Sequence, residues 1–519
     1  MKNYKYIGLL LLSIGVVSCD VNNELDPILE EAVPVVAADA NGLNFSKYIA
    51  VGASFTAGYS DGALFKAAQE SSFPNTLASK FSSVGGGDFN QPLMADNIGG
   101  LLFGGTKIAE PRLYFNGAGP TRLVADPTTD VTVSVAGGLN NYGIPGAKSF
   151  HFLAPGYGSL QGVPVGLANP YFARMASSAS ATVLGDAMAQ NPTFFTLSEV
   201  GGNDVLGYAT SGGSGEDQSP SAGNPTGNLD PSTYGSNDIT NPLVFDQVFR
   251  GMVATMTSGG AKGVIATVPD ITLLPFFRTV PFNPIPLDGA TASSVNEAYA
   301  QYNGGIMQAF AFLVANTPMT QEMADAEIAK RTISFAAGAN AVVIIDEDLT
   351  DLTAINPGLI NMRQSTAEDF LVLTGSSFIG TLADPSNPAS VNGVAVPLAD
   401  KWVLTSNELA SIKVATDAYN AIIFDVAAAN ENVALIDLNA ILREAASGIK
   451  FDRYTLTTSL VTGGLVSLDG IHLTGRGYAL MANRILGAMD LKFGSNFTIA
   501  TDGLAKADDY ATNYSPALR

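Results

Sequence analysis

Histidine is nearly absent from this chain of 519 residues, with two copies, and cysteine occurs once. A single cysteine excludes any disulfide within the chain. Two histidines and one cysteine also leave too few ligands for a His/Cys transition-metal site, so no metal or other cofactor is expected. Basic residues are scarce as well: 26 Lys and Arg stand against 47 Asp and Glu, a net charge of −21. That balance excludes a nucleic-acid partner and argues against electrostatic docking on anionic lipid. Charged residues make up 14% of the chain and apolar ones 46%, so a large core is expected beside extensive neutral surface. No internal repeat is present.

The N-terminus carries Lys2 and Lys5, then an apolar run from Ile7 to Val17 that ends in Val17-Ser18-Cys19. The run is too short to cross a bilayer and reads as an export signal over residues 1–18. Its end resembles the lipobox of bacterial lipoproteins, which implies cleavage before Cys19 and attachment of lipid to it. Residues 19–44 hold Asp20, Glu24, Asp26, Glu30 and Glu31 without helical or strand periodicity and read as an acidic tether. The acidic stretch resembles the surface-export signals of Bacteroidota lipoproteins, implying a lipid-anchored envelope protein on the outer membrane, facing outward.

Short apolar runs at Lys47 to Val51, Thr193 to Val200, Gly263 to Val268, Ala341 to Ile345 and Val433 to Ile436 read as buried parallel strands. Between them lie helical patterns. The clearest is Ser406 to Ala429, where Leu409, Ile412, Tyr419, Ile422, Ile423 and Val426 line one face, and Gly475 to Leu491 is another. This alternation predicts an α/β fold. Residues 45–495 are expected to form one discontinuous domain with an insertion at about 271–400, followed by a C-terminal tail at 496–519. Ser211 to Asn241, rich in Gly, Ser, Pro, Asn and Asp, reads as a long exposed loop. The proline-broken but apolar stretch from Pro269 to Pro286 should pack as one wall of a pocket rather than run free.

Two places carry chemistry. Tyr48-Ile49-Ala50-Val51 leads into Gly52-Ala53-Ser54-Phe55-Thr56-Ala57-Gly58, a corner that can present the Ser54 hydroxyl at a sheet edge. Far along the chain, Asp469-Gly470-Ile471-His472 offers a base and the carboxylate that fixes its tautomer from one short loop. Donors for a developing oxyanion are available at Gly201-Gly202-Asn203-Asp204, in the glycine-rich Asn140-Asn141-Tyr142-Gly143-Ile144-Pro145-Gly146-Ala147 loop, and at the Ser54 N–H.

In this order, Gly52-Ala53-Ser54, Pro145-Gly146-Ala147, Gly201-Gly202-Asn203-Asp204 and Asp469-Gly470-Ile471-His472 resemble the four sequence blocks of the SGNH, or GDSL, hydrolases. The resemblance covers roughly Lys47 to Tyr208 and Val433 to Leu491. It implies a flavodoxin-like three-layer α/β/α sandwich with a parallel sheet, long insertions and a serine hydrolase that cleaves carboxylic esters through an acyl-enzyme. Carried over, the roles are Ser54 as nucleophile, His472 as base, Asp469 as its partner, and Ser54, Gly146 and Asn203 as oxyanion donors, with Gly143 three residues from Gly146. Ala53 stands where the family's serine block usually has aspartate, which puts support of that turn in question. The expected partner is a small-molecule or lipid ester. Apolar runs such as Leu101-Leu102-Phe103 and Leu273 to Phe282 tilt the reading towards an apolar acyl chain. A deacetylase acting on an acylated glycan and a binding lipoprotein that lost the reaction are the rivals.

Two further clusters are expected to be structural. His151, between Phe150 and Phe152, should pack near the pocket. Asp346, Glu347, Asp348 and Asp351 are grouped like calcium ligands, but no glycine sits where an EF-hand loop needs one, so a solvated acidic loop is expected.

Overall fold

In the computed structural model, which describes residues 35–135 and 137–519, the apolar runs become strands wherever both of their faces can be covered. β1 (Tyr48–Gly52), β2 (Asn141–Gly143), β3 (Phe194–Ser198), β4 (Lys262–Ala266) and β5 (Val433–Ile436) form one sheet in the order β5-β4-β3-β1-β2. Every pairing in it is parallel. All five residues of β1 and of β3 are buried, as expected of central strands covered on both faces. The chain passes from β1 to β2 on one side and then back past β1 to β3 on the other, so the order of strands across the sheet reverses between β1 and β3. A crevice beyond the carboxyl ends of those two strands is where such sheets bind ligands.

The helices that flank the sheet are α1 (Ser54–Ala57), α2 (Phe73–Ser82), α3 (Asn203–Thr210), α4 (Pro242–Thr257), α6 (Ser406–Ala429), α7 (Leu438–Ser447) and α8 (Gly475–Phe493), while α5 (Gly289–Asn316) lies in a second core. Helix α6 buries Ile412, Ala415, Tyr419, Ile423 and Val426 at helical spacing. Its cap is Thr405, one residue before the expected start: the Thr405 N–H donates to Glu408 Oε2 at 2.6 Å, closing a capping box. Helix α8 begins on Thr474, whose hydroxyl accepts the Gly477 N–H at 3.0 Å, and packs against α2 and β5.

Two sequence expectations about strands need correction. Ala341 to Ile345 is not in the central sheet; Val343–Ile345 pairs antiparallel with Met362–Gln364, because its apolar residues serve a second core. That core spans Val280 to Val403 and gathers Tyr299, Ile306 and Phe310 of α5 around Val342, Val343 and Ile344. Phe276 and Phe277, by contrast, pack with the main core. Asn141–Gly143, read as loop, is an edge strand. Its short polar sequence gave no strand signal, but its backbone pairs with β1.

The C-terminal stretch is tied to the rest of the chain. Phe497 is fully buried, and the buried Arg112 guanidinium donates to the carbonyls of Tyr514, Ser515 and Leu518 at 3.3, 2.7 and 3.0 Å. At the other end, the signal segment, Cys19 and the tether up to residue 34 lie outside the described residues. Residues 35–37 have no regular structure and belong to a separate unit, Met1–Ala37; residues 38–519 form the other. Within that second unit the end of the expected tether is already anchored, since Leu43 is buried and the Asp39 N–H donates to Asn496 Oδ1 at 2.7 Å. The loop from Ser211 to Asn241 has little regular structure but is pinned: Asn241 Nδ2 donates to the carbonyls of Gln218, Thr226 and Asn228.

Candidate active site

The corner after β1 places Ser54 as the first residue of α1, buried but for 7% of its surface. Gly52 is required there. A Cβ on it would stand 2.2 Å from Thr56 Oγ1 and 2.4 Å from the Ser198 carbonyl. The turn is held by Glu199, at the end of β3. Its carboxylate accepts the Phe55 N–H at 2.5 Å, the Thr56 N–H at 3.1 Å and the Thr56 hydroxyl at 2.7 Å. Glu199 itself sits at φ +51°, a backbone region that non-glycine residues seldom occupy. Burial pushes its carboxyl up to about 7 against the pull of those donors. Support for the turn thus comes from the next strand. The signal available in the sequence was a lone acid ending the apolar run of β3.

The second half of the site comes from the loop before α8. His472 Nε2 lies 2.9 Å from Ser54 Oγ, and His472 Nδ1 lies 2.8 Å from Asp469 Oδ2. With the proton on Nδ1, the ring donates to Asp469 and accepts from the Ser54 hydroxyl, as a base must. Asp469 is fixed from several sides. Its Oδ1 accepts the N–H groups of Ile471 and His472 at 2.9 and 2.8 Å and the Ser467 hydroxyl at 3.1 Å. Its Oδ2 also accepts the Gly62 N–H at 2.8 Å. Although burial opposes its charge, the His472 ring and these donors hold its carboxyl far below the usual carboxylate range. Gly470 turns the loop at φ +76°, and the Phe276 N–H donates to its carbonyl at 3.0 Å, tying the proline-broken segment to the base. The Tyr59 ring, centred 4.5 Å from the imidazole, packs against it.

Behind the row stands Asp61, which sequence reading missed. Its N–H donates to the Ser467 hydroxyl at 3.0 Å and its Oδ1 accepts the Leu468 N–H at 3.0 Å. Burial pushes this carboxyl up to about 7. Asp61 acts through Ser467 on Asp469 and does not touch the reacting atoms.

The oxyanion candidates meet at the ends of β2 and β3. Asn203 opens α3 and spends one amide hydrogen on the Ala147 carbonyl at 2.9 Å, leaving the other for a ligand. Asp204 clamps the same two segments, accepting the Ser149 N–H at 2.8 Å and its hydroxyl at 2.6 Å. Gly146, exposed and at φ +80°, lies in the loop so held, one residue before Ala147. Gly143 is instead the last residue of β2 and its N–H is spent on Asn141 Oδ1 at 2.9 Å, which leaves Gly146 as the candidate donor. His151 is not at the site: its ring stacks on Tyr157 at 4.2 Å and its Nδ1 accepts the Lys148 N–H at 3.0 Å.

No family model, curated protein or solved structure matches this chain. What the site can do follows from its geometry and from the cleft it opens on. Ser54 and Asn203 line a cleft of about 840 Å³, its mouth included, whose other walls are mainly aliphatic. Ile271 and Leu274 come from the proline-broken segment, Leu438, Ile441 and Leu442 from α7, and Leu480 and Met481 from α8. Leu101-Leu102-Phe103 does not line it, and Leu101 and Phe103 pack in a separate small cluster. A buried hydroxyl, a base, two kinds of oxyanion donor and an apolar wall are the parts needed for acyl transfer. Replacing Asn203 with alanine is expected to lower kcat for an ester roughly 10²- to 10³-fold with little change in KM. An unchanged kcat would remove Asn203 from the oxyanion site.

Proposed function

We propose that this chain is a carboxylic ester hydrolase of the SGNH type, held at the outer membrane by lipid on Cys19. The observation that carries the reading is the row Asp469, His472, Ser54, with contacts of 2.8 and 2.9 Å, beside the Asn203 amide. The parallel sheet with helices around it supports the three-layer sandwich of that family. Ser54 Oγ attacks the ester carbonyl while His472 Nε2 takes its proton, and Asp469 steadies the imidazolium. The carbonyl oxygen gains charge and is met by the N–H groups of Ser54 and Gly146 and by Asn203 Nδ2. His472 returns the proton to the leaving alcohol. Water then repeats the sequence on the acyl-enzyme and releases the acid.

The aliphatic walls of the cleft favour an acyl chain over the acetyl group of a glycan. Burying one further methylene gains about 0.8 kcal/mol, close to a fourfold rise in kcat/KM per carbon until the cleft is full. A fluorophosphonate probe followed by a panel of esters of increasing acyl length tests both parts of the reading. Labelling at Ser54 with rising kcat/KM is the expected result. Exclusive removal of acetyl from polysaccharide would assign the chain to glycan deacetylation, and a Ser54 that never reacts would make it a binding protein.

A further inference from the structure

Away from the cleft, three carboxylates meet. One oxygen each of Glu347, Asp400 and Glu408 lies within 4.8 Å of the others. Glu347 and Asp400 belong to the inserted segment, and Glu408 to the first turn of α6. Asp346, next to Glu347, is not a solvated acid: it is buried and paired with Arg363, at 2.5 Å. Among the described residues no lysine or arginine pairs with Glu347, Asp400 or Glu408.

Glu408 supplies the independent observation. It is 6% exposed. Its Oε2 is taken by the Thr405 N–H and hydroxyl at 2.6 and 2.9 Å, but its buried Oε1 has no hydrogen-bond partner. A carboxylate oxygen left bare in a covered place is costly unless a cation reaches it. The cover is the backbone that follows α3: a Cβ added to Gly213 would stand 1.9 Å from that oxygen.

We propose that Glu347, Asp400 and Glu408 bind one hard divalent cation of calcium's class, fastening the inserted segment to the start of α6 beside the end of α3. Oxygen donors without histidine or cysteine select calcium or magnesium over zinc or copper. Bound through Oε1, the ion leaves the Glu408 cap intact. Water and carbonyl oxygens complete the coordination that calcium requires.

The test uses the full chain, purified in detergent and stripped with a chelator, titrated with calcium chloride and separately with magnesium chloride. One calcium site is expected, with Kd around 10⁻⁴ to 10⁻³ M, as in extracellular modules. At about 10 mM calcium the melting temperature should rise by a few degrees, and less with magnesium. Glu347→Gln and Asp400→Asn should each abolish the shift without lowering the melting temperature of the stripped protein, since each removes a repelling charge. Ester turnover by the stripped protein is a separate measurement, so failure of the cation site and failure of the hydrolase reading are distinguishable. No calcium binding at that concentration, or a shift of equal size in both variants, would overturn the proposal.

Discussion

Ser54→Ala and His472→Ala are each expected to lower kcat for a short aryl ester by roughly 10⁴- to 10⁶-fold, with melting temperatures close to that of the parent protein. The two losses should not add in the double variant. Nucleophile and base act as one unit across a 2.9 Å contact, so removing either removes the same step. Asp469 is held far below the usual carboxylate range and so stays ionised beside the imidazole. Substantial turnover by either alanine variant would end the mechanism.

Asp469→Asn should cost roughly 10⁴-fold in kcat while leaving the shape of the site nearly unchanged. Asp469 Oδ2 now accepts both His472 Nδ1–H and the Gly62 N–H at 2.8 Å. An asparagine can keep its oxygen on the N–H groups of Ile471 and His472, which turns its NH₂ towards His472 Nδ1. The ring must then carry its proton on Nε2, aimed at Ser54, and cannot take another from it. The Gly62 N–H loses its acceptor as well, a cost of about 1–3 kcal/mol. Kinetics and a thermal melt on one preparation measure both effects. Activity within about tenfold of the parent would show that Asp469 does not set the tautomer.

The hydroxyl, the imidazole and its carboxylate were legible in the sequence because each sits in a short local pattern: a strand running into a glycine-flanked corner, and an acid three residues before a rare histidine. Glu199 was not. Its role depends on β3 lying beside β1, which brings its carboxylate to N–H groups 144 and 143 residues earlier in the chain. Asp61 and Ser467 were missed for the same reason, since they face each other across 406 positions. Apolar runs announced strands but not their sheet. Val343–Ile345 is as apolar as β5, and only the existence of a second core decides that it pairs in a hairpin. The edge strand Asn141–Gly143 was invisible because asparagine and glycine have little strand preference.

The 418 positions between Ser54 and His472 impose an order of events during synthesis. The N-terminal part emerges with an unactivated alcohol and no base within reach. β5, α7 and the loop that carries Asp469 and His472 come only near the end, together with the C-terminal stretch that Arg112 grips. On the proposed mechanism, a chain clipped before that loop keeps Ser54 but lacks its base, and it should be inert.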